Sequence, residues 1–163
     1  MSNIIIADAS PLIALGSIDK LSVLFELFGQ VIIPEIVAGE CLIDQLRPGA
    51  IAITHAIDKK FIRVHSAVIN HTDDVLAILD QGEAAAISLA HSMQLPLLID
   101  EKLGRGVAKN LGVKIIGTIG ILLLAKQKKL LRSIKPILMS LKNGHYFLSD
   151  KLIKDALARA NEK

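Results

Sequence analysis

The sequence has few of the residues that build disulfide frameworks, stacking surfaces or membrane spans. Cys41 is the only cysteine among 163 residues, which excludes an intrachain disulfide and a cysteine-rich zinc site and fits a reducing compartment. There is no tryptophan, and aromatic residues make up 3% of the chain, so base stacking can supply little specificity. The longest apolar run, Ile115 to Ala125, is interrupted by glycines and is far below the ~20 residues that cross a bilayer. The sequence therefore predicts no transmembrane helix.

The remaining bulk properties are those of an ordinary globular domain. The chain is long enough to bury a real core, and we expect a single domain over residues 1–163. Asp8 is reached before any apolar segment has signal-peptide length, which favours the cytoplasm. The net charge of +3 is too small to identify a polyanionic partner by itself.

Short apolar runs alternate with longer helical patterns, which indicates βα units around a parallel sheet. Strands are predicted at Asn3 to Ala7, Gln30 to Ile33, Phe61 to Val64, Leu97 to Ile99 and Val113 to Ile116. Helices are predicted at Pro11 to Gly16, Lys20 to Phe28, Pro34 to at least Cys41, Gly82 to Met93, Glu101 to Leu111, Ile119 to Lys128, Ser133 to Leu141 and Ser149 to Ala160. Ser10 is predicted to cap the first helix, and Arg47-Pro48-Gly49 and Asn143-Gly144 to form turns.

Two predicted strands end on an aspartate. The run NIIIA leads directly into Asp8, and the run LPLLI leads into Asp100. A continuous apolar run is typical of a strand covered on both faces, so each aspartate stands at a carboxyl end, which is where ligands bind in open α/β sheets. Helix capping explains each aspartate equally well when it is considered singly.

Two glutamates extend this pattern. Glu40 follows the strand QVII within the helix that starts near Pro34, and Glu83 opens an alanine-rich helix in which it is the only acid. A first-turn acid complements the helix dipole, and an exposed glutamate needs no special explanation. A carboxylate in so apolar a setting is costly to desolvate, however, unless a cation or a donor meets it. Together with Asp8 and Asp100, these residues predict an all-oxygen site suited to Mg²⁺ or Mn²⁺.

The motifs carrying these acids resemble the PIN-domain family. That family has an aspartate closing the first strand with a hydroxyl residue two places on, here Asp8 and Ser10 in ADASPLIAL. Its other acids are matched by Glu40 in VIIPEIVAGE, Glu83 in LDQGEAAAISLA and Asp100 in LLIDEKLGRGVAKNLGVKIIGTIGILLLAK. These segments and the C-terminal LSDKLIKDALARA resemble a poorly characterised prokaryotic subgroup, and the likeness covers nearly the whole chain.

The resemblance implies a three-layer α/β/α fold with a central, mainly parallel sheet. It implies a metal-dependent ribonuclease that hydrolyses RNA phosphodiester bonds, often the toxin of a toxin–antitoxin pair with a cognate antitoxin protein, and frequently a homodimer. Asp8, Glu40, Glu83 and Asp100 would then be both catalytic residues and ligands of Mg²⁺ or Mn²⁺. Substrate contacts are expected from Ser10, Lys102 and Arg105.

This sequence departs from the family pattern at one site position and leaves choices at two others. Glu83 stands where many members carry aspartate. Glu35 competes with Glu40 for the second position, and helix spacing places the two on different faces, which favours Glu40. Glu101 is a candidate for an outer position in the site.

Three other classes of protein stay open on the sequence alone. A phosphotransfer receiver domain also gathers acids at a sheet edge, and Thr118 matches its switch hydroxyl, but its acidic pair and its lysine are missing. A haloacid-dehalogenase-type phosphatase needs a second aspartate where Ser10 stands. A catalytically weak or inactive PIN-like module, binding nucleic acid or protein, keeps every sequence feature described above.

Overall fold

A computed structural model describes residues 3–66, 77–144 and 146–163. Within these ranges the strands are β1 (Ile4–Ala7), β2 (Gln30–Pro34), β3 (Ile62–His65), β4 (Leu97–Leu98) and β5 (Ile115–Ile116). The helices are α1 (Ala9–Ser17), α2 (Leu21–Leu27), α3 (Glu35–Cys41), α4 (Pro48–Asp58), α5 (Gln81–Met93), α6 (Lys102–Asn110), α7 (Thr118–Gln127), α8 (Lys135–Asn143) and α9 (Asp150–Arg159). No helix in the described ranges is both long and apolar enough to span a membrane.

The five strands form one parallel sheet in the order β3-β2-β1-β4-β5. The chain winds outward from β1 to β3, then crosses back to β4 on the other side of β1. The strand order therefore reverses between β1 and β4, and a crevice opens there at the carboxyl ends of the strands.

Helices cover both faces of this sheet. Ile5, Ile6 and Ala7 of β1 are all fully buried, as expected for a strand that has helices above and below it. On one side α1 packs against α4, and on the other α5 packs against β1, β2 and α6. The three-layer α/β/α fold predicted from the sequence is confirmed.

A second hydrophobic cluster holds the C-terminal helices together. Leu122 of α7, Leu138 of α8 and Leu157 of α9 are its buried centre, and Ala14 of α1 joins it to the rest of the molecule. The helices after β5 thereby pack beside α1, next to the carboxyl end of β1.

All five strands lie where they were predicted, with boundaries that shift by one or two residues. The turn predicted at Arg47-Pro48-Gly49 is wrong, because Pro48 is instead the first residue of α4, a helix that was not predicted. A Cβ on Gly49 would lie 3.0 Å from the Ile13 carbonyl oxygen, so glycine serves the close contact between α4 and α1. The cap predicted at Ser10 is also wrong, because α1 begins at Ala9 and Asp8 occupies its N-cap position.

Candidate active site

The reversal of strand order brings Asp8 and Asp100 to neighbouring strand ends. Asp8 directly follows β1, and its backbone N–H donates to the Leu98 carbonyl of β4 at 3.0 Å. Asp100 comes two residues after that carbonyl. Asp8 is 5% exposed, and Asp100 is partly buried. The two aspartates therefore meet at the sheet edge that the sequence predicted for them.

The Asp8 carboxylate is not used to cap the helix that follows it. It stands at the N-cap position of α1 yet makes no side-chain capping hydrogen bond. Burial raises its pKa from 3.8 to about 6, the Ala9 amide opposes this rise, and the negative charges of Asp80, Asp100 and Glu101 add to it. The capping explanation that competed with a site role at Asp8 therefore does not apply.

Glu40 and Glu83 approach the same edge from two helices. Glu40 is exposed on α3, but its carboxylate lies against Gly82 of α5, and desolvation together with the charges of Asp80 and Asp8 raises its pKa. Glu83 is partly buried in the first turn of α5, and desolvation followed by the charges of Asp80, Asp8 and Glu101 raises its pKa to about 7. Both side chains thus lie in the electric field of Asp8.

Asp80 is an acid of this cluster that the sequence reasoning missed. It is the N-cap of α5, where Oδ1 accepts from the Glu83 N–H at 2.8 Å, and its charge raises the pKa values of Asp8, Glu40 and Glu83. A signal was available, since an aspartate three residues before a glutamate and an apolar run is the pattern of a capped helix start. Glu101, the expected outer residue, also acts on Asp8 and Glu83.

Asp100 is held by hydrogen bonds that the sequence did not predict. Its Oδ1 accepts from the Thr118 N–H at 2.7 Å, and its Oδ2 accepts from the Thr118 hydroxyl at 2.5 Å and from the Tyr146 hydroxyl. The Ser10 side chain lies at the same phenol, where hydrogen bonding opposes the rise in the Tyr146 pKa that burial and Asp100 produce. Ser10 is thus in the site, beside Tyr146.

The two predicted cationic contacts differ in placement. Arg105 is partly buried, and its Nη1 donates to the Ile99 carbonyl at 2.8 Å, which fixes the guanidinium beside the end of β4. Lys102 is exposed at the start of α6. In the described ranges, ion pairs join Arg47 to Asp44, Lys126 to Glu162 and Lys142 to Asp150, and none includes an acid of the site.

The chemistry of this donor set fits a hard divalent cation. All the clustered side chains offer carboxylate oxygens, the ligands that Mg²⁺ and Mn²⁺ prefer, and none of them forms an ion pair with a lysine or arginine in the described part. As placed, no three histidine, cysteine or acidic side chains of the described residues converge closely enough to hold an ion. The acids share an electrostatic environment without forming a closed coordination shell.

The fold and this acidic edge define a three-layer α/β/α protein with a carboxylate cluster at the point where strand order reverses. The chain belongs to the PIN-domain family, because the family model described as "DUF3368: PIN domain" matches residues 4–162. PIN domains are generally metal-dependent nucleases. Among solved structures, a PilT N-terminus domain protein from the hyperthermophilic archaeon Sulfolobus solfataricus P2 is similar, with 19% identity, a TM-score of 0.47, and coverage of 73% of this chain and 90% of that one. A comparison with curated proteins gave no match.

Proposed function

We propose that the protein is a metal-dependent endoribonuclease that hydrolyses RNA phosphodiester bonds. The observation that carries this proposal is the cluster of Asp8, Glu40, Glu83 and Asp100, which comes from four separate elements and forms no ion pair within the described residues. Burial, and after it the neighbouring negative charges, raises the pKa values of Asp8 and Glu83 and costs free energy, which a bound dication would offset.

In this proposal Asp8, Glu40, Glu83 and Asp100 hold one or two Mg²⁺ or Mn²⁺ ions. When bound, the ion supplies positive charge that polarises the phosphodiester and lowers the pKa of water. Arg105 uses one N–H on the Ile99 carbonyl, so its other N–H groups are available to a phosphate next to Asp100. Lys102 and Ser10 are exposed and complete the proposed substrate contacts.

Recognition is expected to act on the RNA backbone and its shape. The chain has no tryptophan and few other aromatic side chains on which bases could stack. The toxin role, the cognate antitoxin protein and the homodimer are proposed on the family resemblance, and the cytoplasmic location is proposed as the sequence predicts it.

The second candidate is a PIN-like module that binds RNA or protein with little or no catalysis. One observation favours it: no three suitable side chains of the described ranges are placed to hold an ion. RNA assays distinguish the two functions, because a nuclease would cleave RNA only with a dication, whereas an RNA-binding module would bind RNA with or without a dication and leave it intact.

The test is RNA cleavage by purified protein with Mn²⁺, with EDTA, and by an Asp8→Asn variant. We expect cleavage of single-stranded or structured RNA with Mn²⁺, none with EDTA, and a loss of at least about a hundredfold in Asp8→Asn. Asp155→Asn on the exposed side of α9 is the matched control and should cleave normally. RNA binding without cleavage under any metal would establish the second candidate, and cleavage that survives both EDTA and Asp8→Asn would contradict the proposal.

A further inference from the structure

Tyr146 is the point where the C-terminal helices reach the acidic edge. It lies in the loop between α8 and α9, and its ring packs against the second hydrophobic cluster. Its backbone N–H donates to the Leu141 carbonyl at 3.0 Å, which fixes it to the end of α8. Its hydroxyl lies outside this apolar cluster and donates a hydrogen bond to Asp100 Oδ2. One residue thereby links the C-terminal packing to a predicted ligand.

The hydrogen bonds to Asp100 use most of its capacity to accept. An ionised carboxylate has about four lone-pair positions, two on each oxygen. Thr118 and Tyr146 each donate a hydroxyl to Oδ2, and the Thr118 N–H donates to Oδ1. One position therefore remains, on Oδ1. Asp100 can offer a cation a single oxygen in a fixed direction for as long as both hydroxyl groups stay in place.

Tyr146 also faces the space next to the cluster. With Ser10, Glu40 and Arg47 it lines a groove of about 530 Å³ that runs from the acidic edge toward the start of α4. A chain bound in this groove would lie against both Tyr146 and Glu40. The residue is thus close to both the predicted ligands and the space that a substrate would occupy.

We propose that Tyr146, acting with Thr118, is a positioning residue that restricts Asp100 to ligation through one oxygen, Oδ1. The inference rests on the proposed function for its catalytic consequence, but the restriction itself concerns only ion binding. Tyr146 makes no covalent change and needs no direct contact with the reacting phosphate. Without its hydroxyl, Oδ2 regains an acceptor position and the carboxylate can rotate or bind an ion through both oxygens.

Tyr146→Phe removes the hydroxyl and keeps the ring that packs on the second cluster. We expect the Kd for Mn²⁺, measured by calorimetry or by electron paramagnetic resonance of free Mn²⁺, to fall roughly threefold because an oxygen is released from a hydrogen bond. The kcat for RNA cleavage should fall about tenfold because the ligand geometry is no longer fixed, with little change in KM. Thr118→Val, which keeps the backbone N–H on Oδ1, should shift both quantities in the same directions.

Phe147→Leu is the matched control, since Phe147 is the next residue, is 86% exposed and makes no contact with Asp100 that the structure records. It should leave both the Kd and the kcat unchanged. A weaker Mn²⁺ affinity in Tyr146→Phe, or an unchanged Kd and kcat, would overturn the inference. If Tyr146→Phe lowered both kcat and Tm, and Phe147→Leu lowered kcat by the same factor, the role of Tyr146 would be merely structural. That result would also overturn the inference.

The sole tyrosine gives an additional readout in the unmodified protein. Because the chain has one tyrosine and no tryptophan, energy transfer from tyrosine to bound Tb³⁺ can only start at Tyr146. We expect sensitised emission that Mn²⁺ displaces and that is lost in the double variant Tyr146→Phe, Phe147→Tyr. If the wild-type protein binds Mn²⁺ and Tyr146→Phe lowers the Kd, but the wild-type protein cleaves no RNA, the proposed function fails while the inference about Tyr146 stands. Absence of sensitised emission in the wild type would place the ion elsewhere and overturn the inference.

Discussion

Asp8 carries a free-energy cost in the folded protein. It is the one acidic residue among the buried polar residues of the described ranges, and burial raises its pKa, with the charges of three other acids adding to the rise. A pKa of about 6 in the folded protein against 3.8 in the unfolded chain means that folding favours the protonated form. Ionised Asp8 therefore destabilises the fold, by about 3 kcal/mol at neutral pH in the absence of an ion.

The sign of this linkage predicts how stability depends on pH. Below the unfolded pKa both states are protonated and Asp8 contributes nothing, and stability is lost as the pH rises from about 4 through about 6. Asp8→Asn should therefore raise the free energy of unfolding at pH 7.5 by about 1–3 kcal/mol and leave it nearly unchanged at pH 4. Urea unfolding at the two pH values measures the difference.

Asp155→Asn is the surface control and should change stability at neither pH. Mn²⁺ should stabilise the wild-type protein and should do so much less in Asp8→Asn, because the ion binds only the folded state. A variant that is less stable than wild type at pH 7.5 would show that Asp8 supports the fold and would contradict the prediction.

For individual residues, the sequence predicted which acids lie at the sheet edge but not which side chains hydrogen-bond to them. Asp8 and Asp100 could be assigned to one edge because each ends an apolar run, and that follows from the rule for parallel sheets. Thr118 and Tyr146 could not be connected to Asp100, because 18 and 46 residues separate them in the chain and only the packing of α7 and α8 brings them together. Asp80 lay within reach of sequence reasoning, since its capping pattern is local.

Helices α3 and α5 meet so closely that a glycine is needed between them. A Cβ on Gly82 would lie 2.1 Å from Glu40 Oε1, whereas Gly39, next to Glu40 on α3, has no atom within 4 Å of its Cβ position. The obstructed atom is the end of a flexible side chain, so the cost of a methyl group there falls on the position of Glu40 and not on the backbone. The Glu40 carboxylate on α3 thus occupies the space that a side chain at Gly82 of α5 would fill.

Gly82→Ala should therefore reduce function without unfolding the protein. We expect a loss of roughly tenfold or more in Mn²⁺-dependent RNA cleavage, because Glu40 must move away from the cluster. The free energy of unfolding should change by less than about 1 kcal/mol, since alanine favours the helix while the displaced carboxylate offsets part of the gain. Cleavage rates measure the loss of activity, and urea unfolding measures the change in the free energy of unfolding.

Gly39→Ala provides the comparison on the neighbouring helix. It should be more stable than wild type by about 0.5–1 kcal/mol with unchanged cleavage. If Gly82→Ala cleaved RNA as fast as Gly39→Ala, then Glu40 would not act from the position described.

The turn predicted at the start of α4 was wrong because a tertiary contact, as at Gly82, determines the glycine there. Pro48 followed by Gly49 is a common turn pair, and glycine lowers the local preference for a helix. In the folded protein Gly49 packs on Gly16 and Ile13, so tertiary contact requires glycine at the start of a helix that Pro48 is well suited to begin. Local patterns could predict the strands, most of which lie in short apolar runs, but not a helix that begins with a glycine required by a tertiary contact.

For the molecule as a whole, one carboxylate adds polar contacts between the C-terminal helices to the hydrophobic cluster that holds them together. Glu162 accepts from the Ile134 N–H at 2.9 Å and the Lys135 N–H at 3.2 Å, and from Lys126 Nζ at 2.8 Å. It thereby caps the start of α8 and joins the end of α9 to α7. These helices present Tyr146 to the acidic edge, so their attachment matters to the site.

Glu162→Gln keeps the size of the side chain and removes its charge. We expect a loss of about 1–2 kcal/mol in the free energy of unfolding, because charge-assisted hydrogen bonds to two backbone N–H groups and a lysine are weakened. Glu26→Gln, an exposed change on α2, should have little effect. Thermal or urea unfolding measures both, and equal stability of the two variants would show that this carboxylate does not fasten the C-terminal helices.

The route of the chain through the sheet has a consequence for protein synthesis. The cluster draws on Asp8, directly after β1, and on Tyr146, in the loop before α9, so its early and late members are translated far apart in time. A nascent chain still attached to the ribosome carries the early acids without the late hydroxyl that orients Asp100. A protein whose proposed substrate is RNA would in this way be made beside messenger and ribosomal RNA in a form that lacks its finished centre.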